Sequence, residues 1–311
     1  ELDQDDLQLL HQNIVDDPLS EEVFSISPAR TADALRERLD FFYKTTHLLP
    51  EYNLEVCGQP VRAKILLREL WRFYAPLCLL LVRFMRNNSR PRTLIGLAGP
   101  PGSGKSIMAA LLAELINHFL REEGESGLVC SQDAFHLPNR ELEEEVEVAG
   151  GETRTLRWEK GSPRTFDVEA FVQVLHRIAA GESLRVPVYD RGLHDPVPDA
   201  LTVEEGHRLI FVDGNYLLLN RGPWYAVAPL LDLKCFLLVP LRVLRGALIV
   251  RHGRGGRTND DAKRHFEEVD MPNYQVVMKT MEFADLILKR DALQRLVDIQ
   301  WNDQAITEVT S

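Results

Sequence analysis

The chain has only four cysteines in 311 residues, at Cys57, Cys78, Cys130 and Cys235, and none are in C-x-x-C spacing. That excludes a zinc ribbon or a redox pair, and it leaves reduced, mostly buried thiols of the kind found in a cytoplasmic protein. Long apolar runs are also missing. The longest, Tyr74 to Val82, contains Pro76 and falls far short of the roughly 20 residues that span a bilayer. No basic stretch leading into an apolar run opens the chain, so no secretory leader is expected. Positive charge is in deficit, with 36 Lys+Arg against 47 Asp+Glu and a net charge of −11. Nucleic acid and anionic membrane are therefore not expected as main partners, since both call for a basic face. There is no internal repeat and no low-complexity tract.

One glycine-rich octet is present in full: Gly99-Pro100-Pro101-Gly102-Ser103-Gly104-Lys105-Ser106. It matches G-x-x-x-x-G-K-[ST], the phosphate-binding loop. An apolar strand-like run precedes it and an apolar-periodic helix follows, as this loop requires. The glycines let backbone N–H groups turn inward onto phosphate oxygens. Lys105 is placed to reach the β- and γ-phosphates of ATP, and the Ser106 hydroxyl to ligate Mg²⁺. The positive end of the following helix adds to the attraction.

Around this loop the chain divides near the polar break Asn87-Asn88-Ser89-Arg90-Pro91. Residues 1–90 read as an all-helical segment, with helices over 31–48 and 61–87 and a kink or division at Pro76. From residue 91 strands (93–98, 128–131, 207–212, 234–239, 284–288) alternate with helices (105–123, 167–180, 241–252, 259–269). The pattern predicts an α/β fold of the P-loop NTPase type: a doubly wound, mostly parallel sheet with helices on both faces. Ligands of such sheets bind beyond the carboxyl ends of the strands. The phosphate loop, Asp133 and Asp213 all follow strands and should meet there. The acidic stretch within 140–158 reads as a solvated loop.

Asp213 closes Leu209-Ile210-Phe211-Val212-Asp213, an apolar strand ending in a carboxylate, the form of a Walker B magnesium ligand. A turn cap is the plainer alternative. Asp133 at the same rim is placed to accept a hydroxyl proton during phosphoryl transfer, but from position alone it reads equally as an Asx-turn residue.

Several segments together resemble one family. Asp133-Ala134-Phe135-His136-Leu137-Pro138-Asn139 is similar to the Asp-x-Phe stretch of the phosphoribulokinase/uridine kinase family, and of bacterial-type pantothenate kinases in particular. Lys160-Gly161-Ser162-Pro163-Arg164-Thr165-Phe166-Asp167, Pro187-Val188-Tyr189-Asp190 with His194, and Asp213-Gly214-Asn215-Tyr216 resemble further segments in the same order. The resemblance covers 92–288 and implies an ATP- and Mg²⁺-dependent small-molecule kinase. It implies Asp133 as catalytic base, and His136, Tyr189, Arg191, His194 and Asn273 near the acceptor. It also implies a mobile lid over 242–258, whose Arg245, Arg251 and Arg254 close on the phosphates. A solvated basic helix end is the alternative reading of that stretch. Asp213 stands where the family more often has glutamate, and Arg191 where uridine kinases have an aromatic residue.

No Asn-Lys-x-Asp motif for reading guanine is present, and Gly214 rather than an acid follows Asp213. GTPases and water-activating ATPases are thereby disfavoured. The competing class is an ATP-binding regulator or scaffold whose N-terminal helices hold a partner. Those helices have three uses open to them: packing on the kinase domain, forming a homodimer contact, or covering the acceptor pocket.

Overall fold

The computed structural model describes residues 4–48, 51–147 and 153–302. The chain begins with α1 (Gln4–Val15) and α2 (Thr31–Thr45), an antiparallel hairpin of β1 (Glu51–Val56) and β2 (Gln59–Lys64), and α3 (Ala75–Asn87). Next come β3 (Thr93–Ala98), α4 (Lys105–Phe119), β4 (Ser126–Ser131) and α5 (Val168–Ala179). A second hairpin, β5 (Leu184–Asp190) and β6 (Asp195–Val203), leads to β7 (His207–Gly214) and β8 (Leu233–Leu238). The chain then forms α6 (Leu241–Arg254), α7 (Asn259–His265), α8 (Met271–Met278), β9 (Leu286–Arg290) and β10 (Leu296–Trp301).

Six strands form the central sheet in the order β10-β9-β8-β3-β7-β4. All neighbours are parallel except the β10 edge, which runs antiparallel to β9. The unbroken apolar character of β3 and β7 follows from burial on both faces. Ile95, Leu97, Leu209 and Phe211 pack on one side with α4, while Leu94, Ala98, Ile210 and Val212 pack on the other with Phe171, Leu175 and Ile178 of α5. No described helix is long and apolar enough to cross a membrane.

The N-terminal helices pack on the α4 side. Ile14, Phe41, Leu77 and Leu81 belong to the same core as Leu111, Leu115 and the sheet residues beneath them. Trp301 Nε1 donates to the Val23 carbonyl at 3.0 Å, and the buried Glu69 carboxylate accepts from Leu296 N–H at 3.1 Å. The all-helical expectation needs correction at 51–64, where β1 and β2 pair along their length. Residues 61–64 were expected to start a helix. They alternate exposure instead, and the period of two was hidden behind the apolar run that follows.

Pro76 does not simply kink its helix. A π turn over Leu70–Tyr74 precedes it, and Ala75 N–H reaches back five residues to the Leu70 carbonyl. The same device precedes Pro272, where Met271 N–H bonds the Phe266 carbonyl. A proline ring clashes with the carbonyl four residues earlier, and widening the turn removes that clash. The helix expected over 259–269 is thus α7 plus this π turn. Part of the acidic stretch, Glu145–Glu147, pairs with Thr153–Thr155 rather than forming a plain loop.

Arg92, buried at the foot of β3, ties four carbonyls together. Its guanidinium donates to His207 O (3.0 Å), Ile178 O (3.2 Å), Glu182 O (2.6 Å) and Glu204 O (2.9 Å). These carbonyls lie at the end of α5 and in the turn before β7. Arg92→Met keeps the apolar stem but removes this donor; Ile178 and Glu204 still accept from Gly181 N–H (3.0 Å) and His207 N–H (3.1 Å), so the cost of about 1–3 kcal/mol per unpaired carbonyl falls on Glu182 and His207. We expect a loss of at least about 2 kcal/mol, read as a lower urea midpoint. A shift under about 0.5 kcal/mol would show that these carbonyls find other donors.

Candidate active site

The phosphate loop joins β3 to α4. Gly99 (φ +150) and Gly104 (φ +84) hold conformations that side chains rarely adopt, and a Cβ on Gly99 would lie 2.8 Å from the Leu237 carbonyl. The loop therefore needs glycine at both positions. Pro100, Pro101, Gly102 and Ser103 complete the turn, with Ser103 N–H bonded to the Pro100 carbonyl at 3.2 Å. Lys105 is buried at the first residue of α4, and its Nζ donates to the Pro100 carbonyl at 3.0 Å. Burial lowers its pKa to about 8 despite the nearby Asp213 and Asp133 charges.

Parallel pairing sets the rest of the rim. Asp213 on β7 registers with Leu97 on β3 and with Ser131 on β4. Ser106 Oγ donates to Asp213 Oδ2 at 2.6 Å, whereas Asp213 Oδ1 is buried with no hydrogen-bond partner among the described residues. Burial and the neighbouring Asp133 push the Asp213 carboxyl above its ordinary range, and the Ser106 bond only partly offsets them. A buried carboxylate oxygen without a donor, beside a hydroxyl and a second carboxylate, fits a hard divalent cation with oxygen ligands.

Asp133 is the second residue of a short 3-10 turn (Gln132–Phe135), and its N–H donates to the hydroxyl of the N-cap Ser131 at 3.3 Å. Burial pushes its carboxyl up, but His136, Arg251, Lys105 and Arg191 together hold it below the ordinary carboxylate range. The His136 imidazole is itself neutral near pH 7, because burial lowers its pKa to about 4. A carboxyl held below its ordinary range is ionised at neutral pH, the state a proton acceptor needs.

His136 lies edge-on to Phe166 and Tyr189, with ring centroids 4.0 and 5.2 Å away. Lys160 Nζ sits 5.4 Å from the Tyr189 ring and donates to Asn139 Oδ1 (2.8 Å) and the His194 carbonyl (2.6 Å). His194 itself occupies an exposed left-handed turn position (φ +54). Its carbonyl, rather than its ring, makes the bonds recorded here. Asn273 is buried and donates to the Gly161 carbonyl at 3.4 Å, the same carbonyl that accepts from the Tyr216 hydroxyl at 2.6 Å. Lys160 is a residue the sequence reading passed over as a site member. Its place immediately before the Gly-x-Pro segment was the available signal.

Two arginines of α6 expected at the phosphates part company. Arg251 is exposed, but its charge is felt by Asp133, His136 and Lys105. Arg245 is instead paired with Glu267 at 3.2 Å and packed over Phe266, so the structure does not bring it to the phosphate loop. The Arg254 side chain lies outside the described residues. Beyond the C-terminal end of α6, Arg257 bonds His252 Nδ1 (2.8 Å), and His252 Nε2 bonds Asp270 Oδ2 (2.7 Å). Trp158, from the acidic insertion, stacks edge-on against His265 there. No sequence motif signals this network, because its members are brought together only by the packing of α6, α7 and the π turn.

His136 and His265 both have pKa values lowered to about 4 from the ordinary 6.5, mainly by burial. Between those values the unfolded chain binds protons that the folded one refuses, so stability is full above pH 6.5 and falls as pH drops towards 4. Two such groups give a slope of about 2–3 kcal/mol per pH unit near pH 5. Asp213, raised by burial, opposes this at lower pH. Urea midpoints at pH 7, 6 and 5 measure the slope, and His265→Gln should roughly halve it. A flat profile would mean that both imidazoles accept protons in the folded state.

Comparison with known proteins agrees with this geometry. The profile of the Phosphoribulokinase / Uridine kinase family matches residues 94–296. The Escherichia coli uncharacterized protein YggC is 32% identical over 239 residues, covering 76% of this chain and 94% of that protein. A Schizosaccharomyces pombe protein provisionally named a uridine kinase is 37% identical over 206 residues, covering 64% of this chain and 83% of that one. A crystal structure from Silicibacter, provisionally named a fructose transport system kinase, superposes with a TM-score of 0.57 at 30% identity, covering 66% of this chain and 94% of that one.

Proposed function

The chain belongs to the phosphoribulokinase/uridine kinase family, and from that premise we propose that it transfers the γ-phosphoryl group of ATP to a hydroxyl of a small metabolite. The observation that carries this reading is the meeting of the buried Asp213 and the half-buried Asp133 with Lys105 and Ser106 at one rim of the sheet.

The phosphate loop, residues 99–106, binds the triphosphate through backbone N–H groups, with Lys105 at the β- and γ-phosphates. Ser106 and Asp213 would hold Mg²⁺, which supplies charge neutralisation across the phosphate oxygens. Asp133 orients the acceptor hydroxyl and takes its proton as the new P–O bond forms and the bond to the ADP oxygen breaks. Arg251 and Arg191 balance charge as it spreads over the transferring oxygens. Division of labour between a helical N-terminal part (1–90) and a kinase domain (91–311) with a lid over 242–258 belongs to the same reading.

Tyr189, His136 and Asn273 form the acceptor side, with Lys160 and Arg191 supplying positive charge. That lining favours a polar acceptor of the nucleoside, sugar, sugar acid or pantothenate class. The names of the Schizosaccharomyces and Silicibacter relatives, which mention uridine and fructose, fall within it. The test is ADP release from MgATP against a panel of nucleosides, free sugars, sugar acids, polyols and pantothenate. We expect one acceptor class to raise the rate well above the acceptor-free background. A flat panel with measurable ATP binding would transfer the weight to an ATP-binding regulator.

A further inference from the structure

The β1–β2 hairpin precedes the residues matched by the family profile, which begin at 94. Val56 pairs with Gln59, so only Cys57 and Gly58 join the strands. Both are left-handed, with φ of +52 and +71, as in the two-residue turns that suit twisted hairpins. Such turns favour Asn or Asp at the first position, so cysteine is an unusual occupant. The hairpin is anchored firmly: Tyr52, Leu54 and Val56 are buried in the core that also contains Met108, Leu111 and Leu115 of α4. Since α4 begins at Lys105, the hairpin lies beside the helix that carries the phosphate loop.

The tip reaches the acceptor side. The Cys57 carbonyl accepts from Arg191 N–H at 3.4 Å. A Cβ built on Gly58 would lie 3.5 Å from Asp190 Oδ2. Asp190 Oδ1 in turn accepts from Gly192 N–H (2.7 Å) and Leu193 N–H (2.9 Å), shaping the turn that follows Tyr189. The Cys57 thiol is only half-buried, unlike Cys78, Cys130 and Cys235, which are buried. Its ionisation is pushed up to about 12, first by burial and then by Asp133, with Asp213 adding and Arg191 and Arg251 opposing. It also acts on Tyr189. The half-buried thiol thus sits on a turn that touches Asp190 and Arg191, which follow Tyr189 directly on the acceptor side of the rim.

We propose that the Cys57–Gly58 turn is a wall of the acceptor pocket and that Cys57 is a specificity-determining residue, admitting a compact, uncharged face of the acceptor at this point. The inference rests on the kinase reading of the site. It gives the N-terminal part a second use beyond packing: the hairpin closes a pocket whose other walls come from the segments around His136, Lys160 and Tyr189. The charged or strongly polar end of the acceptor is left to Lys160 and Arg191.

Cys57→Gly and Cys57→Asn test this, because both residues suit the left-handed turn and should keep the hairpin folded. Steady-state constants are measured for each acceptor that the wild type phosphorylates, and for MgATP, with the melting temperature as a check on folding. Cys57→Gly opens the wall, so bulkier members of the acceptor class should gain about tenfold in kcat/KM relative to the preferred one. Cys57→Asn narrows the wall and makes it polar, so the KM of the preferred acceptor should rise about tenfold. In both variants the KM for MgATP should stay within about twofold and the melting temperature should hold or rise. Unchanged acceptor ranking and KM in both variants would overturn the inference while leaving the kinase reading intact. A wild type that phosphorylates nothing would remove the kinase reading, and this inference with it.

Discussion

Asp133→Asn should lower kcat by about 10²–10⁴-fold while MgATP still binds with near wild-type affinity. Asparagine matches the carboxylate in size and can still accept a hydrogen bond from the acceptor hydroxyl, but it cannot take the proton. The test is demanding, because His136, Arg251, Lys105 and Arg191 hold the Asp133 carboxyl below its ordinary range against the effect of burial. Removing its charge leaves Arg251, Lys105 and Arg191 less well balanced, which should favour rather than weaken phosphate binding. The expected signature is a fall in kcat with triphosphate affinity kept or raised, measured by steady-state kinetics and by titration with a non-hydrolysable ATP analogue. Turnover near the wild-type rate would remove Asp133 from the role of base and return it to the Asx-turn reading that its position alone also allows.

Lys105→Ala should behave differently. Without phosphate, Lys105 leans on the Pro100 carbonyl inside its own loop, and burial has already lowered its pKa to about 8. A cation held so unfavourably is poised for an anion. Its removal should weaken triphosphate binding and lower kcat/KM together, by about 10²–10³-fold. The melting temperature of the ligand-free protein should not fall, because the variant deletes a desolvated charge rather than a packing group. The two results discriminate sharply: Asp133→Asn acts on turnover alone, and Lys105→Ala on binding and turnover. Unchanged kinetics in Lys105→Ala would contradict the assignment of the phosphate loop.

Much of this site could be read from the sequence because its elements are local. The phosphate loop is eight consecutive residues whose backbone conformation is written in its glycines. β3 and β7 announce themselves as unbroken apolar runs, and parallel pairing then delivers Asp213 and Asp133 to one rim without further information. What was not legible depends on partners distant in the chain. β1 and β2 hide because each is only six residues long, β2 runs straight into a helical apolar stretch, and their turn, Cys57-Gly58, lacks the usual Asn-Gly signal. Arg245 and Arg251 look alike in the sequence, yet only the packing of α6 against the π turn gives Arg245 to Glu267 and leaves the charge of Arg251 to be felt by Asp133. Lys160 and the network of Arg257, His252 and Asp270 are likewise products of tertiary placement.

The destination of the γ-phosphoryl group distinguishes transfer from mere binding. Phosphorus NMR of MgATP incubated with the protein and the acceptor panel follows that group directly. Transfer to a hydroxyl gives a new phosphomonoester resonance growing in step with ADP, dependent on one acceptor class and absent with Asp133→Asn. Inorganic phosphate as the sole product, or ATP left intact beside a protein that binds it, would contradict it.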